Sequence, residues 1–210
     1  FRRVLFRSTY RDAFTSVYPD CELVYASKAF LNRPFARFVA SEGFGFDAVS
    51  GGEIATLRAA GVDLSRVYLH GNNKAPWELR LAVESGVGRI VIDGEWEIEQ
   101  LERVCADLGR TQRVLVRVSP GIDGHTHEKT TTGILDSKFG LPIVTGAAER
   151  AVRAVVAAPH LEFRGLHMHL GSPIFETEPY AQAVEVVAAF IDEVCRQRSE
   201  EHTSELQSRL

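Results

Sequence analysis

The chain has 210 residues, of which 45% are hydrophobic and 25% charged, and its formal net charge is −4. That composition suits a soluble globular protein with a sizeable core. The mild acidity gives no electrostatic reason to bind nucleic acid or an anionic membrane. No run approaches the ~18 apolar residues of a membrane-spanning helix. Cys21, Cys105 and Cys195 lie far apart without C-x-x-C spacing. They read as reduced thiols of a cytoplasmic protein, not as a disulfide framework or a zinc site.

In chain order, F-R-R-V-L-F-R-S (1–8) and the closing S-E-E-H-T-S-E-L-Q-S-R-L (199–210) continue no interior periodicity, and the first residue is Phe. Both ends are expected to be non-native scars flanking one incomplete domain, residues 9–198. Inside it, short strands rich in Val, Ile and Leu are expected at 22–26, 46–50, 66–70, 89–93, 113–118 and 163–170, as in parallel sheets covered on both faces. Helices are expected between them. Glu53 to Ala60 sets Ile54, Leu57 and Ala60 on one face and stops at Gly61; Trp77 to Glu84 stops at Gly86. Glu95 to Leu108 lines up Ile98, Leu101, Val104, Cys105 and Leu108, and Tyr180 to Cys195 lines up Val184, Val187, Ala188, Ile191 and Cys195.

Six β-then-α units imply a parallel sheet. A repeat of roughly 20–25 residues favours a (β/α)8 barrel over a doubly wound sheet, and no G-x-G-x-x-G follows the first strand. The fold class is therefore α/β, a partial TIM-like barrel with about six of eight units. Open edges would make it unstable or prone to associate. In such barrels chemistry gathers at the C-terminal ends of the strands. Those ends supply Lys28, Asp47 with Ser50, His70 with Asn72 and Asn73, Asp93, Arg117, then His167 and His169. Any one could be a solvated cap; together, at one end, they favour a pocket.

Lys28, in V-Y-A-S-K-A-F-L-N (24–32), ends an apolar strand. It is either a snorkelling strand-end residue or a lysine whose apolar surroundings disfavour its charge and free the amine, as covalent pyridoxal chemistry requires. Y-A-S-K-A-F resembles the segment of the fold-type III pyridoxal phosphate (PLP) decarboxylases in which the lysine holds the cofactor. F-G-F-D-A-V-S-G-G-E (44–53), H-G-N-N-K (70–74), V-R-V-S-P-G-I-D-G-H-T-H-E-K (116–129), D-S-K-F-G-L (136–141) and G-L-H-M-H-L-G-S (165–172) narrow the resemblance to the diaminopimelate decarboxylases.

The resemblance implies an alanine-racemase-like barrel that binds PLP, with Lys28 as its catalytic, cofactor-holding lysine. Asp47 matches the acid that steers the lysine's protonation, and His169 the histidine stacked on the pyridine ring. Ser172 and Gly171 match phosphate-binding positions, and His70 and Asn72 line the pocket. Arg117 either points in beside the ring or is a strand-end charge. Ser137, Lys138 and Phe139 are assigned to a lid or to structure. Pro173 stands where the family has Gln, and Phe30 where it has Asn. The family's Gly-rich phosphate loop, its partner for the pyridine nitrogen, its C-E-S-x-D motif, its final Tyr and its C-terminal β-domain find no match here.

The implied activity is decarboxylation of meso-2,6-diaminopimelate to L-lysine and CO2 by a homodimer, with little turnover expected from these 210 residues alone. Ornithine, arginine or carboxynorspermidine is the alternative substrate within the fold. A metal-dependent barrel hydrolase using H-T-H (125–127) and H-M-H (167–169) is the alternative outside it.

Overall fold

The computed structural model describes Thr9 and residues 11–122, 139–172 and 174–208, with side chains as far as Arg196. The chain alternates strand and helix. The strands are β1 (Val24–Ala26), β2 (Gly45–Ala48), β3 (Val67–Leu69), β4 (Arg89–Ile92), β5 (Gln112–Ser119), β6 (Leu141–Pro142) and β7 (Leu161–His167). The helices are α1 (Arg33–Ser41), α2 (Gly51–Ala60), α3 (Pro76–Ser85), α4 (Glu95–Leu108), α5 (Ala147–Ala157) and α6 (Glu178–Ser208). Every strand pairing is parallel, in the order β1-β2-β3-β4-β5-β7, and the two-residue β6 adds to the end of β5. The six expected strands are all present, wound as a partial βα barrel. Among the described residues β1 pairs only with β2, and β7 only with β5.

Parallel neighbours force each helix to cross back over the same face of the sheet, and that face is apolar. Phe46, Ala48, Val67, Leu69, Ile90, Ile92, Val114 and Val116 are all buried there against Ile54, Leu57, Leu79, Ile98, Leu101 and Val155. The opposite face is not covered as the apolar strand composition suggested. Side chains alternate along a strand, and the register Asp47↔Tyr68↔Arg89 places a polar row on it. At its base Tyr68 donates to Glu22 Oε2 over 2.6 Å, and Arg89 Nη1 donates to the Tyr68 hydroxyl over 2.6 Å. The polar face is the concave one, which in a closed barrel becomes the interior.

The helix ends follow local chemistry. Ser50 caps α2 by accepting from Glu53 N, and Glu53 reaches back past the cap to accept from Val49 N. Gly61 and Gly86 end α2 and α3 in the left-handed conformation at φ 75° and 73°, as their positions predict. The helices α1 and α5 carry weaker signals. Asn32 caps α1 by accepting from Phe35 N over 2.9 Å with Pro34 in the first turn, whereas α5 starts at Gly146 without a side-chain cap.

The apolar stripe expected on α6 is rotated by about one residue. Ala183, Val187, Phe190 and Val194 face the core, while Val184 is 54% exposed and Cys195 is exposed. The two stripes share Val187. The one containing Phe190 wins because its ring buries far more apolar surface than Ala188.

Two substitutions test this packing by urea unfolding. Leu101→Ala, at a fully buried position in α4, should lower stability by about 2–5 kcal/mol. Val184→Ser on α6 should change it by no more than about 0.5 kcal/mol.

Candidate active site

The sheet curves enough for its distant strands to meet. The β3 and β7 strands are separated by β4 and β5, yet the rings of His70 and His167 pack edge to face with centroids 4.6 Å apart. His70 Nε2 also lies 3.5 Å from Asp47 Oδ1, on β2, a close approach without hydrogen-bond alignment. The charge of Lys28, past β1, acts on both Asp47 and His169, and that of Arg117 on β5 acts on Asp47, His70, His167 and His169. The C-terminal ends of β1, β2, β3, β5 and β7 thus converge on one rim. Of the residues expected from sequence, it brings together Lys28, Asp47, His70, Arg117 and His169.

Lys28 sits on a single 3-10 turn, Ser27–Ala29, directly after β1. Tyr25 steadies this turn by donating to Phe30 O over 3.0 Å and packing edge-on against Phe35. The ammonium is exposed, not enclosed by apolar neighbours. The apolar residues of this segment place the turn, and the charges across the rim form the amine's surroundings. Arg117, open to two readings from sequence, is a buried side chain. Its Nη1 donates to Asp93 Oδ2 over 3.0 Å, and its guanidinium lies 4.8 Å from the centre of the Phe139 ring. Gly171 is buried with φ 131°, Ser172 beside it is exposed, and Asn72 is exposed on the loop after β3. Asp136, Ser137 and Lys138, the H-T-H of 125–127 and Pro173 lie outside the described residues.

Burial sets the protonation states. It pushes the Asp47 carboxyl up to about 6, with Lys28 and Arg117 pulling the other way. It pulls His70 down to about 2, helped by the positive charge nearby, and His167 down to about 3. His169 is lowered as well, by burial and then by Arg117 and Lys28. Three neutral imidazoles therefore face the rim at neutral pH.

Three buried atoms have no hydrogen-bond partner among the described residues: Ser27 Oγ, Asp47 Oδ1 and His167 Nδ1. Buried polar atoms left unpaired are costly and call for a partner. Here they border a rim that presents a primary amine, neutral aromatic rings and a guanidinium. That donor and acceptor set fits a polar, anionic, aromatic aldehyde such as PLP. Among the described residues no group of three or more His, Cys, Asp or Glu is arranged to hold a metal ion.

Comparison with known proteins agrees with this fit. The family described as "Pyridoxal-dependent decarboxylase, pyridoxal binding domain" matches residues 7–200. The chain belongs to this family. Its relatives include the diaminopimelate decarboxylase of Bacillus subtilis, 41% identical over 88% of this chain and 42% of that protein. That of Mycobacterium tuberculosis is 40% identical over 96% of this chain and 45% of that protein. Among solved structures, diaminopimelate decarboxylase from Helicobacter pylori complexed with L-lysine superposes with a TM-score of 0.83 at 26% identity, covering 91% of this chain and 48% of that one. The chain thus spans about half the length of the relatives it matches. Membership of the family makes PLP the cofactor.

Sequence reasoning placed His167 at a strand end but not in the cofactor set, and it overlooked Lys74 and Glu97. The ammonium of Lys74 is almost wholly buried. It donates to Gly71 O (2.8 Å), Val91 O (2.7 Å) and Glu97 Oε1 (2.6 Å). Glu97 Oε2 accepts from Asp93 N over 3.2 Å. Burial pushes the Glu97 carboxyl up, and the Lys74 charge opposes that push. In sequence, Glu97 looks like an ordinary acid in the first turn of a helix.

The protonation pattern fixes a pH dependence. Imidazoles with depressed values bind fewer protons folded than unfolded, so their contribution is present above about pH 6.5 and lost as pH falls. The raised Asp47 acts oppositely, its contribution being lost as pH rises through about 6. The raised Glu97 acts on the side of Asp47, and the lowered His169 on that of the other histidines. Between about pH 4 and 6, His70 and His167 set against Asp47 leave about one proton. Stability should fall on acidification by roughly 1.4 kcal/mol per pH unit from this source. Denaturant unfolding across that range should show a flatter profile for His70→Gln and a steeper one for Asp47→Asn.

Proposed function

We propose that this chain forms the cofactor-holding barrel of an enzyme that decarboxylates meso-2,6-diaminopimelate to L-lysine and CO2. The observation that carries the reading is the rim itself, where Lys28, Asp47, His70, His167, His169 and Arg117 meet beside unpaired buried atoms. The substrate is suggested by relatives near 40% identity that are diaminopimelate decarboxylases.

Each residue has a part that its surroundings allow. Lys28, exposed at the rim on a fixed turn, offers its amine to the cofactor's aldehyde carbon. Asp47 shares its field with Lys28 and holds or releases a proton near neutral pH, so it steers the protonation of that amine. His169, neutral, presents an uncharged ring face for stacking. Ser172 offers a hydroxyl and Gly171 its backbone to the phosphate, while His70, His167 and Asn72 line the pocket. Arg117 supplies the positive charge that favours an anionic ligand. The bound cofactor supplies the electron sink for the Cα–carboxylate bond.

The family resemblance implies that catalysis also draws on groups outside the length matched here, including a cysteine from a second subunit of a head-to-tail dimer. The working enzyme is therefore proposed to be a cytoplasmic homodimer, and the domain to run over residues 9–198. No helix among the described residues is long and apolar enough to cross a membrane.

The test is chemical. Incubation with PLP should produce a yellow species, and borohydride reduction followed by peptide mapping should place the label on Lys28. Lys28→Ala should abolish both signals, and a label on another lysine would overturn the assignment. Release of CO2 should favour meso-diaminopimelate over ornithine and arginine when the groups outside this chain are supplied. The 210 residues alone should show little turnover.

A further inference from the structure

We infer that Lys74 is a positioning residue for the rim, acting through Glu97 and Asp93 to hold the Arg117 guanidinium in place. The inference rests on the cofactor reading above for its relevance to function, but its geometry stands apart from that reading.

The connections form one unbroken path. All three protons of the Lys74 ammonium are used: one on Gly71 O, next to His70, one on Val91 O in β4, and one on Glu97 Oε1. The second oxygen of Glu97 holds the backbone N–H of Asp93. The Asp93 carboxylate is then divided, Oδ2 accepting from Arg117 Nη1 and Oδ1 from Gly140 N. Phe139, next to Gly140, closes over the guanidinium. A single buried ammonium thus ties the loop after β3 to the end of β4 and, two carboxylates later, to the charge at the centre of the rim.

The charge order along the path, plus, minus, minus, plus, explains why neither end is dispensable. Asp93 and Glu97 are both buried carboxylates only four residues apart. Each is balanced by one cation, Glu97 by Lys74 and Asp93 by Arg117. If Lys74 lost its charge, Glu97 would be left uncompensated in a dry site, where a lone carboxylate is strongly disfavoured. Glu97 would then take up a proton, its hold on the Asp93 N–H would weaken, and the Asp93 carboxylate that positions Arg117 would be less firmly placed.

A purely structural ion pair would lower the melting temperature and do nothing more. A positioning role has a further signature, because Arg117 acts on His70, His167 and His169. His70 is also faced by Asp47 from β2, by Lys74 from its own loop and by His167 from β7. The experiment is a double-mutant cycle between Glu97→Gln and Arg117→Met, followed by histidine ring NMR titration. In the otherwise unaltered chain, Glu97→Gln should raise the titration point of His167, whose charged neighbours include Arg117; His70 is no reporter here because Lys74 acts on it directly. In the Arg117→Met background it should leave that point where the Arg117 substitution puts it. If Glu97→Gln unfolds the chain, Lys74→Met with Glu97→Leu removes both buried charges and is the better-tolerated variant. The same upward movement is expected of it.

Pyridoxal phosphate provides a second readout. Glu97→Gln should weaken its binding at least about twofold, the lower end of coupling within one hydrogen-bond network. Equal histidine shifts in both backgrounds, or a lower melting temperature with unmoved titrations, would overturn the positioning role. Absence of cofactor on Lys28 in the unaltered chain would instead overturn the cofactor reading, and the titrations would still decide this one.

Discussion

The ammonium of Lys74 is buried beneath the rim with three acceptors, and the arrangement of the site depends on it. Taking an ammonium out of water is expensive, and a carboxylate beside it returns that energy only when every remaining donor is also satisfied. Two of the three acceptors are main-chain carbonyls, Gly71 O and Val91 O, and each lies at the C-terminal end of a neighbouring strand. The requirement to satisfy one charge therefore fixes the relative height of two loops. His70 and Asp93 sit at the ends of those loops, so their positions inherit that constraint. A weaker, neutral hydrogen bond would tolerate more slack.

The sheet has two unlike faces. Its outer face is a continuous apolar surface matched to helices, whereas its inner face runs from Glu22, Tyr68 and Arg89 at the base to Asp47, Arg117 and the histidines at the rim. Curvature concentrates that polar face. Strand ends three positions apart in the sheet touch through His70 and His167, and the low local dielectric strengthens each charge's influence on the others. The result is a site whose imidazoles are neutral and whose carboxyl is poised near neutrality. Burial is the main cause in each case, with charges on separate strands refining it.

Much of this was legible in the sequence. The order and type of the strands followed from short β-branched runs, and α4 followed from a four-turn apolar stripe with bounds matching those in the structure. The rim could be listed because strand ends in a parallel sheet point one way. What escaped notice depended on long-range packing. Whether Lys28 was covered or exposed depended on how its turn met the rim. The stripe of α6 depended on which of two adjacent apolar rows met α5 and β7, and periodicity alone scores those rows alike. Lys74 and Glu97 were hidden for a similar reason: a lysine before a Pro-led helix and a glutamate in a first turn normally face water. Their burial is a property of the packed loops and has no signature in local composition.

The short turn after β1 and the segment after β7 stand at opposite ends of the strand order, and they bring Lys28 and His169 to the same rim. Between them no strand pairing is present among the described residues, so the curvature there is held by side chains and by strand twist. A ligand bound by Lys28 on one side and by His169 and Gly171 on the other would act as a clasp across that gap. Its binding free energy would then be drawn partly into keeping the sheet curved. By mass action, anything that binds only the curved form stabilises it in proportion to the logarithm of ligand concentration over Kd. Occupancy of the rim and integrity of the fold would then be two readings of a single equilibrium.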